Sequence, residues 1–278
     1  MLAYLGRKQL QFARYTLYSL LLLLALICSS VSIAQDRLRF VAIIVDDLGY
    51  DLNIGEQVIA LPHALTYSFL PHTKYSIDLI KNAQNQNKEI MLHLPMQAMA
   101  NNSTGPGALN EKMQRPQFIK TLRNNLNAIP GAVGINNHMG SLLTQNMVKM
   151  QWLMEELKLN NNLYFVDSRT HASSIAAKEA KAFRIPSASR DIFLDHVVTE
   201  AAIEYQFGRL LKRLNSVGYA LAIGHPHIET LDALKIWLPK LQAEGVHIVT
   251  VSRYISLIKT RSVLWQASLS PSRKVVKN

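Results

Sequence analysis

The feature that most constrains this chain is a rhythm. From residue 39 nearly to the end, short apolar runs rich in β-branched residues alternate with longer segments of helical spacing. Arg39–Val45 is, after its first residue, an unbroken apolar run, as a strand requires when both of its faces are covered. Leu65–Leu70, Glu89–His93, Ala132–Asn136, Leu163–Asp167, Ile185–Ser189, Tyr219–Gly224 and Val246–Val251 read as further strands. Between them the spacing predicts helices over about Leu52–Ala60, Tyr75–Gln86, Pro116–Ala128, Gln145–Leu159, Ser173–Phe183, Thr199–Val217 and Thr230–Ala243. This alternation predicts parallel strands joined by helical crossovers. Seven or eight such units suit a single-domain α/β fold, a distorted (β/α)7-8 barrel, with an open doubly wound sheet as the alternative. No GxGxxG or GxxxxGK[ST] follows a strand, so the usual nucleotide-binding arguments fall away.

The ends of the chain read differently. Arg7, Lys8 and Arg14 precede an apolar run from Leu17 to Ile27, and small residues follow, ending in Ser32-Ile33-Ala34. That is the layout of an export signal over residues 1–34, with a mature chain starting at Gln35. The alternative is a retained membrane anchor, since Tyr15 to Gln35 carries no charge. Export to the periplasm or the extracellular space is therefore the expectation, with membrane contact only if this segment is kept. Cys28, the only cysteine, lies inside it, so the mature chain has neither a disulfide framework nor thiol chemistry. The net charge of +11 would suggest nucleic acid, but three of those charges precede residue 35 and five lie between Lys259 and Lys277. Residues 35–258, nearly all of a central domain expected over 35–260, are only mildly basic, which argues against a nucleic-acid partner. Residues 261–278 read as a basic flexible tail. Leu94–Arg115 is a long connection, of the kind that forms a lid or groove wall.

Reactive residues fall where the strands end. Asp46 and Asp47 end the first, His72 follows the second, His93 ends the third and His138 follows the fourth. Asp167 and Arg169 end the fifth, Arg190 and Asp191 the sixth, and His225 and His227 follow the seventh. Parallel barrel strands deliver their C-terminal ends to one rim, where barrel active sites are built. Successive strand side chains point opposite ways, so one of the paired aspartates can bind a metal while the other faces the reacting water. His93 lies in an apolar stretch and reads equally as a core residue; His138 sits among Asn, Gly and Ser, which allow an irregular backbone near a ligand. Imidazoles with a carboxylate suit Zn²⁺ or a similar divalent ion. There is no HxxxH or HExxH, so the metal argument rests on topology. His225 or His227 can act as a general acid. Arg190 and Asp191, with Asp195, either support the catalytic imidazoles or form an ion pair on the rim. Asp167 and Arg169 have the same two readings, and with His227 they are assigned to substrate binding. His63, His171, His196 and His247 read as structural or exposed.

The stretches Val45–Gly49, His93–Met96, Asn137–Ser141, Phe165–Thr170, Ser189–Asp195 and Gly224–His227 together resemble the divergent polysaccharide deacetylase family, distant relatives of the NodB-type carbohydrate esterases. The resemblance runs from about Phe40 to Ile258. It implies a distorted barrel, a divalent metal held by one Asp and two His, and hydrolysis of N-acetyl or O-acetyl groups on a glycan or cell-wall polymer. Carried across, Asp47 resembles the metal carboxylate, Asp46 the base and His225 the acid. NodB-type enzymes take both metal histidines from one HxxxH motif, whereas His93 is followed by Met96 and Gln97. His138 would supply the second ligand. Two other functions stay open: an inactive envelope protein that binds glycan or a protein partner, and another metallohydrolase such as an amidase or phosphoesterase.

Overall fold

The computed structural model describes residues 38–100, 104–159 and 163–269; the expected leader lies outside the described residues. Strand parity decides which residues meet. In β1 (Arg39–Leu48), Phe40, Ala42 and Ile44 face an inner apolar cluster, while Val41, Ile43 and Val45 face an outer one. The same alternation continues in β3 (Glu89–Met96), β5 (Tyr164–Asp167) and β8 (Tyr219–Gly224). Met91, Tyr164, Val166, Leu221 and Ile223 point inward, whereas Leu92, Leu94, Phe165, Ala220 and Ala222 point outward. Strands covered on both faces must be apolar on both, which is why β1 lacks a polar stripe.

Completed by β2 (Thr66–Phe69), β4 (Gly134–Met139), β6 (Ser187–Ser189), β7 (Ile192–Phe193) and β9 (Val246–Ile248), the sheet runs β6-β5-β4-β3-β2-β1-β8-β7 with every pairing parallel. The outer cluster is covered by α1 (Leu52–Ile59), α2 (Ser76–Asn85), α3 (Arg115–Asn127), α4 (Met147–Leu159), α5 (Ala176–Ala182), α6 (Glu200–Val217) and α7 (Ile228–Ala243). The expected distorted barrel is what forms. β9 pairs with Arg39–Val41 of β1, below the point at which β2 joins it at Ile44.

The barrel closes in an irregular way. β6 bonds to β5 and β7 bonds to β8, and only Arg190 and Asp191 separate β6 from β7. The Arg190 N–H donates to the Asp167 carbonyl (3.0 Å) and the Asp191 N–H to the Leu221 carbonyl (2.8 Å). The chain itself therefore bridges the two sheet edges, with no ladder between β6 and β7. Sequence alone did not show β7, because two residues are too few to carry a period.

Two expectations need correction. The strand expected over Val246–Val251 stops at Ile248, and Val251 begins α8 (Val251–Leu269). This helix continues through residues expected to lie in the basic tail, of which 270–278 fall outside the described residues. Charge counting hid the reason: Val251 and Tyr254 are buried in the inner cluster, with Ile255, Leu257 and Ile258 packed against it, so the helix plugs the end of the barrel opposite the strand C-termini. Among the described residues, no helix is long and apolar enough to cross a membrane.

Glu89 anchors this plug. Its Oε1 accepts from Thr66 Oγ1 (2.9 Å), the Tyr164 hydroxyl (2.9 Å) and the Ser252 N–H (3.1 Å) in the first turn of α8. Thr66 Oγ1 in turn accepts from the Val251 N–H (3.0 Å). A carboxylate at a helix N-terminus also opposes the helix dipole favourably. Glu89→Ala should therefore lower unfolding free energy by about 2–4 kcal/mol, because buried donors lose a charged acceptor. A urea-denaturation series checks this; a loss below about 0.5 kcal/mol would show that α8 is held by apolar contact alone.

Candidate active site

The polar residues continue the barrel's inward parity by one layer. Asp46 follows Ile44, Ser68 follows Thr66, His93 follows Met91, Ser168 follows Val166 and His225 follows Ile223, each two residues on. In β4 the inward positions are Asn136 and His138. The site is thus the last layer of the barrel interior, where the apolar filling gives way to groups that bond to one another.

Asp47 breaks the alternation. Val45 pairs with Tyr67 and Leu48 with Phe69, so Asp46 and Asp47 together lie opposite the single residue Ser68. Such a bulge re-aims the side chain it carries. Asp47 takes up the bulge at φ 57°, a left-handed conformation uncommon outside glycine but tolerated best by Asp and Asn. The expectation that the two carboxylates point to opposite sides is corrected: both reach groups on β3 and β4.

Asn136 organises the centre. Its Oδ1 accepts from Ser68 Oγ (2.7 Å) and from His93 Nδ1 (2.8 Å). Its Nδ2 donates to both Asp46 oxygens, at 2.8 and 3.0 Å. Because an amide oxygen only accepts, His93 carries a proton on Nδ1, and Nε2 is the nitrogen that faces the centre. That nitrogen lies 3.1 Å from Asp47 Oδ1 and 3.2 Å from His138 Nδ1; the third side, His138 Nδ1 to Asp47 Oδ1, is 2.9 Å.

This triangle fits a divalent metal. Asp47 Oδ1 is buried and, despite its two close nitrogens, has no hydrogen-bond partner. Atoms bound at about 2.1 Å to one ion are separated by about 3.0–3.4 Å, which these distances approach. One carboxylate and two imidazoles on three strands form the only such group of His, Cys, Asp or Glu among the described residues. Burial raises the Asp46 pKa above the ordinary carboxylate value. Burial also pushes Asp47 upward, but the two imidazoles more than offset it and hold Asp47 ionised.

His225 faces the triangle, its Nε2 3.9 Å from Asp47 Oδ2. Asp195 Oδ1 accepts from His225 Nδ1 (2.9 Å), while Asp195 Oδ2 accepts from the His225 N–H (2.5 Å) and Thr230 Oγ1 (2.8 Å). Burial works against a charged His225, but the bonded Asp195, with Asp47 and Asp46, raises its pKa to about 9. Phe193 lies against the His225 ring at 5.2 Å between centroids.

The other residues expected at the site divide. Arg190 stacks on Phe193 (4.8 Å) and donates from Nε to the Ser168 carbonyl (2.7 Å) and from Nη2 to the Arg169 carbonyl (2.9 Å). It touches no reacting group and instead positions its neighbours. Asp191 stands apart: Arg213 of α6 pairs with its Oδ1 (2.7 Å), and the Leu221 N–H donates to its Oδ2 (2.9 Å). The ion-pair reading describes it. Asp167 has the outward parity, and its oxygens accept from the Arg169 N–H, Ser174 Oγ and the Ala177 N–H. Those bonds fix the turn into α5 and leave it facing away from a substrate. Arg169 is exposed on the rim, and His227 is an exposed residue at the start of α7. Sequence reasoning gave no role to Asn136, Ser68 or Phe193, and left His196 as structural or exposed, although it stands edge-on to Phe193 (5.9 Å). The available signal was a polar Asn136 and Ser68 at inward positions of otherwise apolar strands.

Comparison with known proteins agrees with this architecture. Residues 43–255 match the divergent polysaccharide deacetylase family. The uncharacterised protein YibQ of Escherichia coli K12 is 33% identical over 231 residues, covering 83% of this chain and 69% of that one. An uncharacterised protein of Haemophilus influenzae is 34% identical over 221 residues, covering 80% of this chain and 77% of that one. Among solved structures, an uncharacterised protein of Agrobacterium tumefaciens C58 superposes with a TM-score of 0.75 at 25% identity, over 78% of this chain and 89% of that one. The peptidoglycan deacetylase PdaC of Bacillus subtilis shares the fold, with a TM-score of 0.52 at 13% identity over 84% of this chain and 98% of that one. With the family match spanning nearly the whole barrel, this chain belongs to the divergent polysaccharide deacetylase family.

Proposed function

We propose that this protein is an exported, metal-dependent hydrolase that removes acetyl groups from a polysaccharide or cell-envelope glycan. The observation that carries the reading is the triangle of Asp47, His93 and His138, flanked by Asp46 on one side and the Asp195-held His225 on the other. Family membership supports the substrate class. A divalent ion held by those three residues, zinc on the chemistry of the donor set, would supply Lewis acidity to the acyl oxygen and to water.

The chain's own residues account for the proton movements. Asp46 is buried, and burial makes it a stronger base than an ordinary carboxylate. Asn136 fixes both of its oxygens, so it accepts a proton from the attacking water without moving. The water oxygen bonds to the acyl carbon as the acyl C–N or C–O bond breaks. His225, protonated and oriented by Asp195, donates a proton from Nε2 to the departing nitrogen or oxygen. The products are acetate and a free amine or hydroxyl. Phe193 limits the swing of the His225 ring, which keeps Nε2 directed at the site.

Metal content tests the core of this reading. Untagged protein should bind about one equivalent of zinc or a similar ion, and Asp47→Ala and His138→Ala should each lose it in elemental analysis. A parent protein that stays metal-free after zinc addition would sink the mechanism and leave a glycan-binding barrel. The acid role has its own signature. His225→Gln should reduce release from an acetylated amino sugar by about 10²–10⁴-fold while a phenyl acetate, whose leaving group needs no proton, loses far less. Equal losses on both substrates would assign His225 a structural role instead. Export is checked on the mature protein: N-terminal sequencing should begin at Gln35, and a chain starting at Met1 in the membrane fraction would favour the retained anchor.

A further inference from the structure

The hydrolysis accounts for the acids and histidines of the centre but gives no part to two guanidinium groups on its rim, and one of them, Arg169, has no structural task either. Arg169 is held by its main chain and free at its side chain. Its N–H donates to Asp167 Oδ1 (2.8 Å), and its carbonyl accepts from Arg190 Nη2 (2.9 Å). The next residue, Thr170, donates from Oγ1 to the Met139 carbonyl (2.8 Å), adjacent to His138. Arg169 sits at φ 48° and Met139 at φ 51°, conformations that non-glycine residues seldom adopt and that a surrounding bond network must sustain. The side chain of Arg169 is exposed and, among the described residues, pairs with no carboxylate.

Arg190 is in the same position with respect to charge. Its bonds go to the Ser168 and Arg169 carbonyls, which orient the group without neutralising it. Asp167, Asp46 and Asp191 are near enough to act on it electrostatically, yet none is within ion-pair distance, and all three are committed to other donors. Burial and the charge of Arg169 together lower the Arg190 pKa, so the two cations act on each other across the rim. Arg190 has a second explanation, since it braces the bridge between β6 and β7. Arg169 has none: nothing in the fold requires an exposed guanidinium on a strained, clamped backbone beside a metal ligand.

We infer that Arg169, backed by Arg190, binds an anionic group on the saccharide being deacetylated, which makes the substrate an acidic glycan rather than a neutral one. This rests on the deacetylase reading and narrows its substrate class. A planar guanidinium fixed at its base suits a carboxylate or a phosphate equally, by paired N–H donation. The preference depends on charge, so it weakens as salt rises.

The test is a calorimetric titration of the full-length mature, zinc-loaded protein with three acetylated oligosaccharides of equal length: neutral, carboxylate-bearing and phosphate-bearing. At least one acidic probe should bind about tenfold more tightly than the neutral one, and Arg169→Gln should weaken that binding by about tenfold to a hundredfold, with Arg169→Lys recovering part of it. The tighter of the two acidic probes identifies the group. An unchanged thermal midpoint in Arg169→Gln shows that the variant is folded. Equal affinity for all three probes, equal weakening of neutral and acidic probes by the substitution, or no binding of either acidic probe would overturn the inference. Acetate release from the bound probes is read separately: a charge preference without acetate release would sink the hydrolase and leave Arg169 as an anion-binding residue.

Discussion

The site depends on a single carboxamide. A buried aspartate such as Asp46 is costly unless its oxygens are satisfied, and a buried imidazole such as His93 needs a partner on the nitrogen that does not face the centre. Asn136 meets both needs at once, donating from Nδ2 to the Asp46 carboxylate and accepting from His93 and Ser68. One side chain on β4 thereby ties β1, β2 and β3 together at the level of the reaction. No other residue type fits: an aspartate would repel Asp46, a leucine would leave four polar atoms without partners, and a glutamine would overreach by one methylene.

That arrangement also explains how a chain without HxxxH assembles an Asp/His/His set. The NodB-type pattern that the sequence resembles would draw both histidines from one local motif. Here β3 and β4 lie in parallel register, His93 beside Asn136 and Pro95 beside His138, so the spacing between the two imidazoles is a property of the sheet rather than of a turn. The bulge in β1 completes the set by turning Asp47 toward them. Three strands of one sheet, β1, β3 and β4, thus hold the donor atoms, and such sites are more rigid than sites carried on loops.

Much of this was legible in the sequence because burial on both faces of a strand leaves an unmistakable apolar run. Tyr219–Gly224 forms a strand with the expected bounds, and most helices lie within two residues of expectation at both ends. The gathering of Asp46, Asp47, His93, His138 and His225 followed from parallel topology alone. What was not legible depends on contacts rather than on pattern. The bulge needs the register of β2 to be known, β7 is two residues long, and α8 is stabilised by the barrel end it covers rather than by its own composition. Parity was available but unused: Asp167 lies one residue beyond the inward Val166 and one before the inward Ser168, so it had to face out. Asp191 stayed open between two readings for a different reason. A charged pair after a strand looks the same in sequence whether it enters a site or, as here, ties a strand edge to a helix.

The pairing of β1 has a consequence for how the molecule comes into being. β1 is the first strand of the barrel in the chain, and one of its long edges is completed only when Phe40–Val45 meets Tyr219–Gly224. Contacts so distant in sequence form late and slowly. A chain emerging N-terminus first therefore carries its most apolar strand with one edge bare until residue 224 has left the ribosome, and throughout that interval the edge is open to any other unpaired strand.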